Sequence, residues 1–366
     1  MSRYIVTNFA YGTGPYLRTT ELALAFNDEL ERRGHPRMKI LVPLVYGERQ
    51  RQVIREEFGE HPDIEFDETL GLLLKSIFYT GEKNYSESLR VWVEKADGVS
   101  RAAHEYLTGK DIALEINRSP RITYGVAPSY STTFGYVAEI LEAALAAGRD
   151  AVDIDPELLR QGIALADKVE GAQDLSLLAY PGTFSWADDY QPRYLGAQLV
   201  PPIINLPKAH TEPMEEGLYV TVTGISGLER LYGEAKKIGL KTYTNDIAAI
   251  EGATKALPHV VANPAIRLQF ARSGWGSVWL SMFARVPIVM PPFDPSDDPE
   301  IYFNNRAVEM LGIGRVYQNQ PLEELLVQGD SVRAAQKLLC QKIEKRWGTL
   351  GGNEFCAKLM VDKFLG

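Results

Sequence analysis

The chain has 366 residues, 45% hydrophobic and 24% charged, a composition that excludes disordered, collagen-like and small disulfide-stapled proteins. With 39 Lys and Arg against 48 Asp and Glu the formal charge is −9, which argues against a nucleic-acid partner. The cysteines, Cys340 and Cys356, and the scattered histidines form no spaced ligand set, so no metal site is expected.

Residues 4–7 read as a strand, Gly12 to Pro15 as a turn, Leu17 to Arg33 as a helix stopped by Gly34, and 38–42 as the next strand. This is a βαβ opening, for which a right-handed parallel crossover is the default. Further strands are expected at 63–66, 112–116 and 175–180, separated by helical patterns at 84–108 and 133–147. The apolar run 70–79 reads either as a core helix or as a groove or membrane-surface contact. No segment approaches the roughly 20 apolar residues that span a bilayer, and no signal-peptide pattern follows Met1. The expected location is the cytoplasm, with peripheral contact at the inner membrane face through 70–79.

Pro181, Pro192, Pro201, Pro202, Pro207 and Pro213 break the periodicity and mark a joint. We place a first domain at 1–200, a linker at 201–217 and a second domain at 218–366, whose last helix is expected to pack back on the first. The second domain restarts the alternation with a strand at 218–223, a turn at 224–227 and a helix at 228–238. Strands follow at 240–244, 258–262, 267–272, 286–291 and 314–318, with closing helices at 331–347 and 353–365. The fold class is therefore α/β, two Rossmann-like domains facing a central cleft.

Each half leads a strand into a glycine turn and a helix, an arrangement that brings backbone N–H groups close to an anion. Gly12 with Gly14, and Gly224 with Gly227, lack the full dinucleotide fingerprint and read equally as tight turns. The most informative stretch is 270–293, where a strand ends at Arg272, Ser273-Gly274-Trp275-Gly276-Ser277 opens a helix, and Val286-Pro287-Ile288-Val289-Met290 forms a strand. Downstream, Glu300-Ile301-Tyr302-Phe303-Asn304 precedes a helix end at Gly312.

This stretch resembles the donor-binding signature of GT-B glycosyltransferases, in the inverting branch that contains the peptidoglycan N-acetylglucosaminyltransferase and the UDP-glycosyltransferases. The resemblance implies metal-independent, inverting transfer of a sugar from a UDP- or dTDP-type nucleotide-sugar to an acceptor hydroxyl on a small molecule, glycan, lipid or protein. No cofactor besides that substrate is implied. It assigns the donor to Arg272, Ser273, Gly274, Trp275, Gly276, Ser277, Glu300 and Asn304, together with Thr223, Gly224 and Ser226. Gly12, Thr13, Gly14, Tyr16, Asn117, Arg118 and Tyr124 fall on the acceptor side, and Trp275 reads either as stacking on a base or sugar or as packing against the sheet.

Departures are specific. Leu280 stands where the family commonly has a ribose-binding glutamate, and Ile301 replaces one member of the pair that reads sugar hydroxyls. The histidine base near the first turn is absent, leaving Glu115 and Glu21 as candidate replacements, each of which also reads as an ordinary structural or solvated carboxylate. The stretch 117–133, dense in aromatic and hydroxyl groups, reads as an acceptor contact region or equally as a polar surface loop in which Thr132 or Thr133 caps the next helix, and the acidic loop Asp294 to Glu300 reads as a flexible rim. Two other readings remain: a nucleotide-sugar epimerase relative, and a GT-B-like protein that binds a ligand or scaffolds an assembly without catalysis.

Overall fold

The computed structural model describes residues 3–77, 84–149, 151–221 and 228–366, with Thr13 described by its backbone only. The first part of the chain runs β1 (Tyr4–Phe9), α1 (Thr13–Arg32), β2 (Lys39–Pro43), α2 (Glu48–Phe58), β3 (Ile64–Asp67), α3 (Glu68–Lys75) and α4 (Tyr85–Leu107). It continues through β4 (Ile112–Arg118), β5 (Ser129–Thr133), α5 (Val137–Ala147), α6 (Pro156–Glu170), β6 (Leu175–Ala179) and β7 (Gln198–Val200). The strands form one parallel sheet in the order β3-β2-β1-β4-β5-β6-β7.

The second part runs β8 (Gly217–Val220), α7 (Leu228–Lys237), β9 (Lys241–Thr244), β10 (Thr254–Lys255), β11 (Ile266–Phe270), α8 (Trp275–Ala284), β12 (Ile288–Met290), α9 (Pro299–Met310) and β13 (Gly314–Val316). Two helices close it, α10 (Leu322–Trp347) and α11 (Gly352–Leu365), and its parallel sheet has the order β10-β9-β8-β11-β12-β13. Both sheets are therefore doubly wound, reversing direction between β1 and β4 and between β8 and β11. Such switch points, at the carboxyl ends of the strands, are where open α/β sheets bind ligands.

α11 packs on α1 of the first sheet, with Phe364 edge-on to Phe26 at 5.6 Å. One apolar core joins the two sheets: Trp275, Trp279, Met282, Phe303 and Ile343 belong to the same buried cluster as Ile5, Phe26 and Leu177. The sheets are thus fixed against each other by packed side chains as well as by the connecting chain.

Several sequence expectations change. α1 begins at Thr13, so the turn expected at 12–15 supplies the first helical turn; Gly12 precedes it at φ 87, and Pro15 is tolerated where intrahelical N–H partners are missing. Residues 258–262 form a 3-10 helix rather than a strand, because Pro258 opens the segment and Val260 and Val261 are buried together on one side. Thr132 and Thr133 belong to β5 and cap nothing. Glu170 instead accepts hydrogen bonds from the Val137 and Ala138 amides at the start of α5 (2.6 and 3.2 Å). In α3, Leu70 and Leu74 are buried while Leu72 is 68% exposed; Ile77, just past the helix, is buried as well, and Phe78 and Tyr79 lie outside the described residues. No described helix is long and apolar enough to cross a membrane.

Candidate active-site cleft

A cleft of about 600 Å³ opens where the two switch points face each other. The first-sheet side contributes Ala10, Tyr11, Gly12 and Gly14 after β1, and Arg118, Ser119 and Arg121 after β4. The second contributes Arg272, Gly274, Trp275, Gly276 and Ser277 after β11, and Asp297, Asp298, Glu300 and Ile301 around the start of α9. The amino ends of α1 and α8 thus reach one space from opposite domains. Each presents amides that lack intrahelical partners and the positive end of a helix dipole.

The glycines of these two turns are open to the cleft. A Cβ at Gly14, Gly274 or Gly276 would meet no protein atom within 4 Å, and none of the three has a positive φ. Neither packing nor backbone strain therefore demands glycine there. What a side chain would obstruct is the approach of a ligand to the helix amides.

Behind α8 the wall is tightly tied. The ring of Trp275 is buried, and its Nε1 donates to Asn304 Oδ1 at 2.8 Å; Thr183 Oγ1, from the first domain, donates to the same oxygen at 2.8 Å. Trp279 Nε1 donates to the Pro181 carbonyl at 3.0 Å, a second bond across the domains. Trp275 is consequently an interdomain anchor, not a ring free to stack on a base. Ser273 is also buried, its hydroxyl donating to the Ile301 carbonyl at 3.3 Å. Asn304 stands behind the wall and donates from Nδ2 to Glu300 Oε1 at 3.0 Å. The hydroxyl and amide that the sequence offered to the donor position the wall instead.

Four arginines, Arg18, Arg118, Arg121 and Arg272, line the cleft. Arg272 is ion-paired with Asp297. Arg118 lies over Phe134 and Trp279 and donates to the Ile203 carbonyl at 3.0 Å, and burial draws its pKa down to about 10. The acidic loop is anchored: Tyr85 N donates to the Ser296 carbonyl at 3.1 Å, Asp153 N to the Pro295 carbonyl at 2.9 Å, and Asp298 caps α9 by accepting from Glu300 N at 2.9 Å. It bridges the domains rather than forming a flexible rim. Glu300, with only one oxygen engaged by Asn304, is raised to about 8 by burial and by the neighbouring Asp298.

Several expected residues lie elsewhere. Glu115 is fully buried away from the cleft, where it accepts hydrogen bonds from Asn8 Nδ2 (3.0 Å) and Tyr124 N (3.3 Å), and burial raises its pKa to about 7. Glu21 pairs with Arg18 at 2.7 Å and does not line the cleft. Asn117 donates to Ser129 Oγ and Gln173 Oε1, Tyr124 to the Thr7 carbonyl, and Tyr16 packs edge-on against Phe9 at 6.0 Å. Thr223, Gly224 and Ser226 lie outside the described residues, and Thr13 is seen only as backbone. Sequence reasoning did not single out Arg18, and it met Tyr85, Ser119 and Asp298 only as members of longer stretches, the apolar run near 70–85, the polar stretch 117–133 and the acidic loop. Of these, Ser119 carries a conformational signal, a φ of 47 that places a non-glycine residue in the left-handed region. Leu280 does line the cleft, so an apolar side chain stands where the resemblance puts the ribose.

No protein-family model and no curated protein matches the chain. Among solved structures, Phytolacca americana UGT2, complexed with UDP-2fluoro-glucose and pterostilbene, is similar over 100% of both chains, with a TM-score of 0.64 and 12% identity. The calicheamicin glycosyltransferase CalG4 gives 0.61 and 18% identity over 100% of this chain and 98% of its own. The glycosyltransferase SsfS6 of Streptomyces sp. SF2575 gives 0.59 and 14% over 98% of this chain and 99% of its own. With two doubly wound parallel sheets and a cleft between their switch points, this chain has the GT-B fold of those glycosyltransferases.

Proposed function

We propose that this chain is a glycosyltransferase that moves a sugar from a nucleotide-sugar to an acceptor hydroxyl, with inversion and without a metal ion. The observation that carries this reading is the pair of helix amino ends, α1 and α8, that open onto one cleft through glycines whose missing side chains leave the amides accessible. The donor diphosphate rests at Gly274 to Ser277, where amides, the α8 dipole and Arg272 supply the positive potential that a cation would otherwise provide. The acceptor enters along Tyr11, Tyr85, Phe134 and Ile140 of the first domain.

In the transfer, the acceptor oxygen attacks the anomeric carbon from the face opposite the diphosphate. The glycosyl C–O bond breaks, and the nucleoside diphosphate departs with its electron pair. The acceptor proton needs a base. Of the cleft carboxylates, Asp297 is paired with Arg272, whereas Asp298 and Glu300 each accept one bond; we assign the base to Glu300, whose carboxyl is raised to about 8. A base raised to about 8 is matched to a hydroxyl proton, because base strength rises with pKa while enough remains ionised near neutrality. Leu280 gives no hydrogen bond to the ribose, so the nucleotide is held through its base and phosphates.

Incubation with UDP-glucose, dTDP-glucose and a broad panel of hydroxylated acceptors, read by mass spectrometry, tests the reaction. Formation of a glycosylated product and free nucleoside diphosphate is the expected result. Tight nucleotide binding with neither transfer nor donor hydrolysis supports the non-catalytic ligand-binding reading instead.

A further inference from the structure

Arg121 follows β4 in the first domain and lines the cleft with only 6% of its surface exposed. Its backbone is held on both sides: the Arg121 carbonyl accepts from Trp92 Nε1 at 2.6 Å, and the adjacent Ile122 carbonyl from Asn8 Nδ2 at 2.8 Å. Its guanidinium lies between two aromatic rings, 5.0 Å from the centroid of Tyr11 and 5.3 Å from that of Trp92. The guanidinium shares a hydrogen bond with Tyr11, while Nε and Nη1 are buried and, among the described residues, have no hydrogen-bond partner. A guanidinium cannot shed its charge near neutral pH, so burying two unfilled donors is costly unless something answers them.

The nearby acids do not fill these donors. Asp298 accepts from Glu300 N and Glu300 from Asn304, and burial pushes both carboxyls toward the neutral form. The rest of this wall is apolar or aromatic, with Tyr85, Phe134, Val137 and Ile140 facing the same space. The second domain already provides the separate anion site at Gly274 to Ser277.

We propose that Arg121 receives a carboxylate, so that the small-molecule substrate seated on the first-domain wall is a hydroxylated acid rather than a neutral alcohol. The aromatic seat fixes the guanidinium plane. The ligand carboxylate supplies the acceptors that the protein withholds, and the apolar wall takes the carbon skeleton. This rests on the glycosyltransferase reading for the transfer of sugar to that acid, but the carboxylate site itself is a binding property. The same chemistry on the donor, a uronic acid, is separated from it below.

The test is calorimetric titration of the full chain, with and without saturating UDP. The probes are 4-hydroxybenzoate, 4-hydroxycinnamate and salicylate, each beside its methyl ester, and UDP-glucuronate beside UDP-glucose. A charge-assisted hydrogen bond corresponds to roughly 10–100-fold in affinity, and that is the expected preference for at least one acid over its ester. Arg121→Met, which keeps the stem between the rings, is expected to erase the preference while ester binding persists. A preference confined to UDP-glucuronate supports the carboxylate site and moves its source to the donor. Equal affinity for every acid–ester and donor pair, or a preference that survives in Arg121→Met, overturns the proposal. If Arg121→Met fails to fold, the acid–ester comparison in the unmodified chain decides alone. UDP binding with no preference for any acid or for UDP-glucuronate sinks this inference and spares the donor site; acid preference without UDP binding does the reverse.

Discussion

The two helix amino ends that meet at the cleft are built differently. α8 is bolted into the interdomain core through Trp275, Trp279 and Ser273, each of which spends its polar atom on a buried partner. α1 starts from a glycine at φ 87 whose amide is met by the Tyr46 hydroxyl at 2.8 Å, an exposed contact. The first arrangement suits a ligand part that is always the same, such as a diphosphate. The second suits a part that varies. Rigid placement of charge-stabilising groups avoids reorganisation during reaction, whereas the proposed acceptor side is met at its helix start by an exposed contact.

On nucleotide binding, the largest effect comes from closing the α8 turn. Gly276→Asp sets a carboxylate against the expected diphosphate and should reduce nucleotide affinity by more than about 100-fold, measured by calorimetry, with the fold retained by circular dichroism. Next is the bolt itself: Trp279→Ala removes a fully buried indole and the bond to Pro181, and should cost about 3–5 kcal/mol in denaturant unfolding. A loss under 1 kcal/mol would show that the domains are not held together in this way.

Catalysis separates the walls further. Glu300→Gln should lower kcat by about 10³-fold with nucleotide affinity nearly unchanged. Because the base must be ionised, kcat/KM in the unmodified chain should rise with pH through about 8, and the variant should lose this limb. Glu115 provides the contrasting carboxylate. Its folded pKa is raised by burial from 4.5 to about 7, so its contribution to stability is complete below pH 4.5 and is lost as pH rises through 7. Over that window the loss is on the order of 3 kcal/mol, and Glu115→Gln should flatten the pH dependence of unfolding while leaving turnover intact. The smallest effect is expected at α1, where Tyr46→Phe should cost at most about 1 kcal/mol and alter acceptor KM but not donor affinity.

The strand–helix alternation and the two Rossmann-like sheets were legible because they are local: strand and helix periods sit within short windows, whereas the turn expected at 12–15 forms the first turn of α1 and that at 224–227 lies outside the described residues. The short strands β7 and β10 were missed because they carry too few residues to show a period. The site was legible only in part. Gly274, Gly276 and Ser277, picked out by their own turn, line the cleft, but whether a polar side chain faces the cleft or the core depends on distant partners. Ser273 and Asn304 turned inward to Ile301 and Trp275, and Glu115 turned to Asn8 and Tyr124. Arg121 stood in the polar stretch 117–133, yet its significance lies in donors left unfilled between Tyr11 and Trp92, which no spacing rule reports. The acidic loop 294–300 misled for the same reason, since its anchors are backbone bonds to Tyr85 and Asp153 far away in sequence.

The central claim is that the α8 turn is a nucleoside-diphosphate site. Titration of the chain with UDP and dTDP, followed by thermal unfolding, tests it most directly. At a nucleotide concentration 100 times the dissociation constant, binding should stabilise the fold by about 2.7 kcal/mol, and Gly276→Asp should abolish the shift. An unchanged unfolding temperature with both nucleotides, or a shift of equal size in Gly276→Asp, would contradict the account.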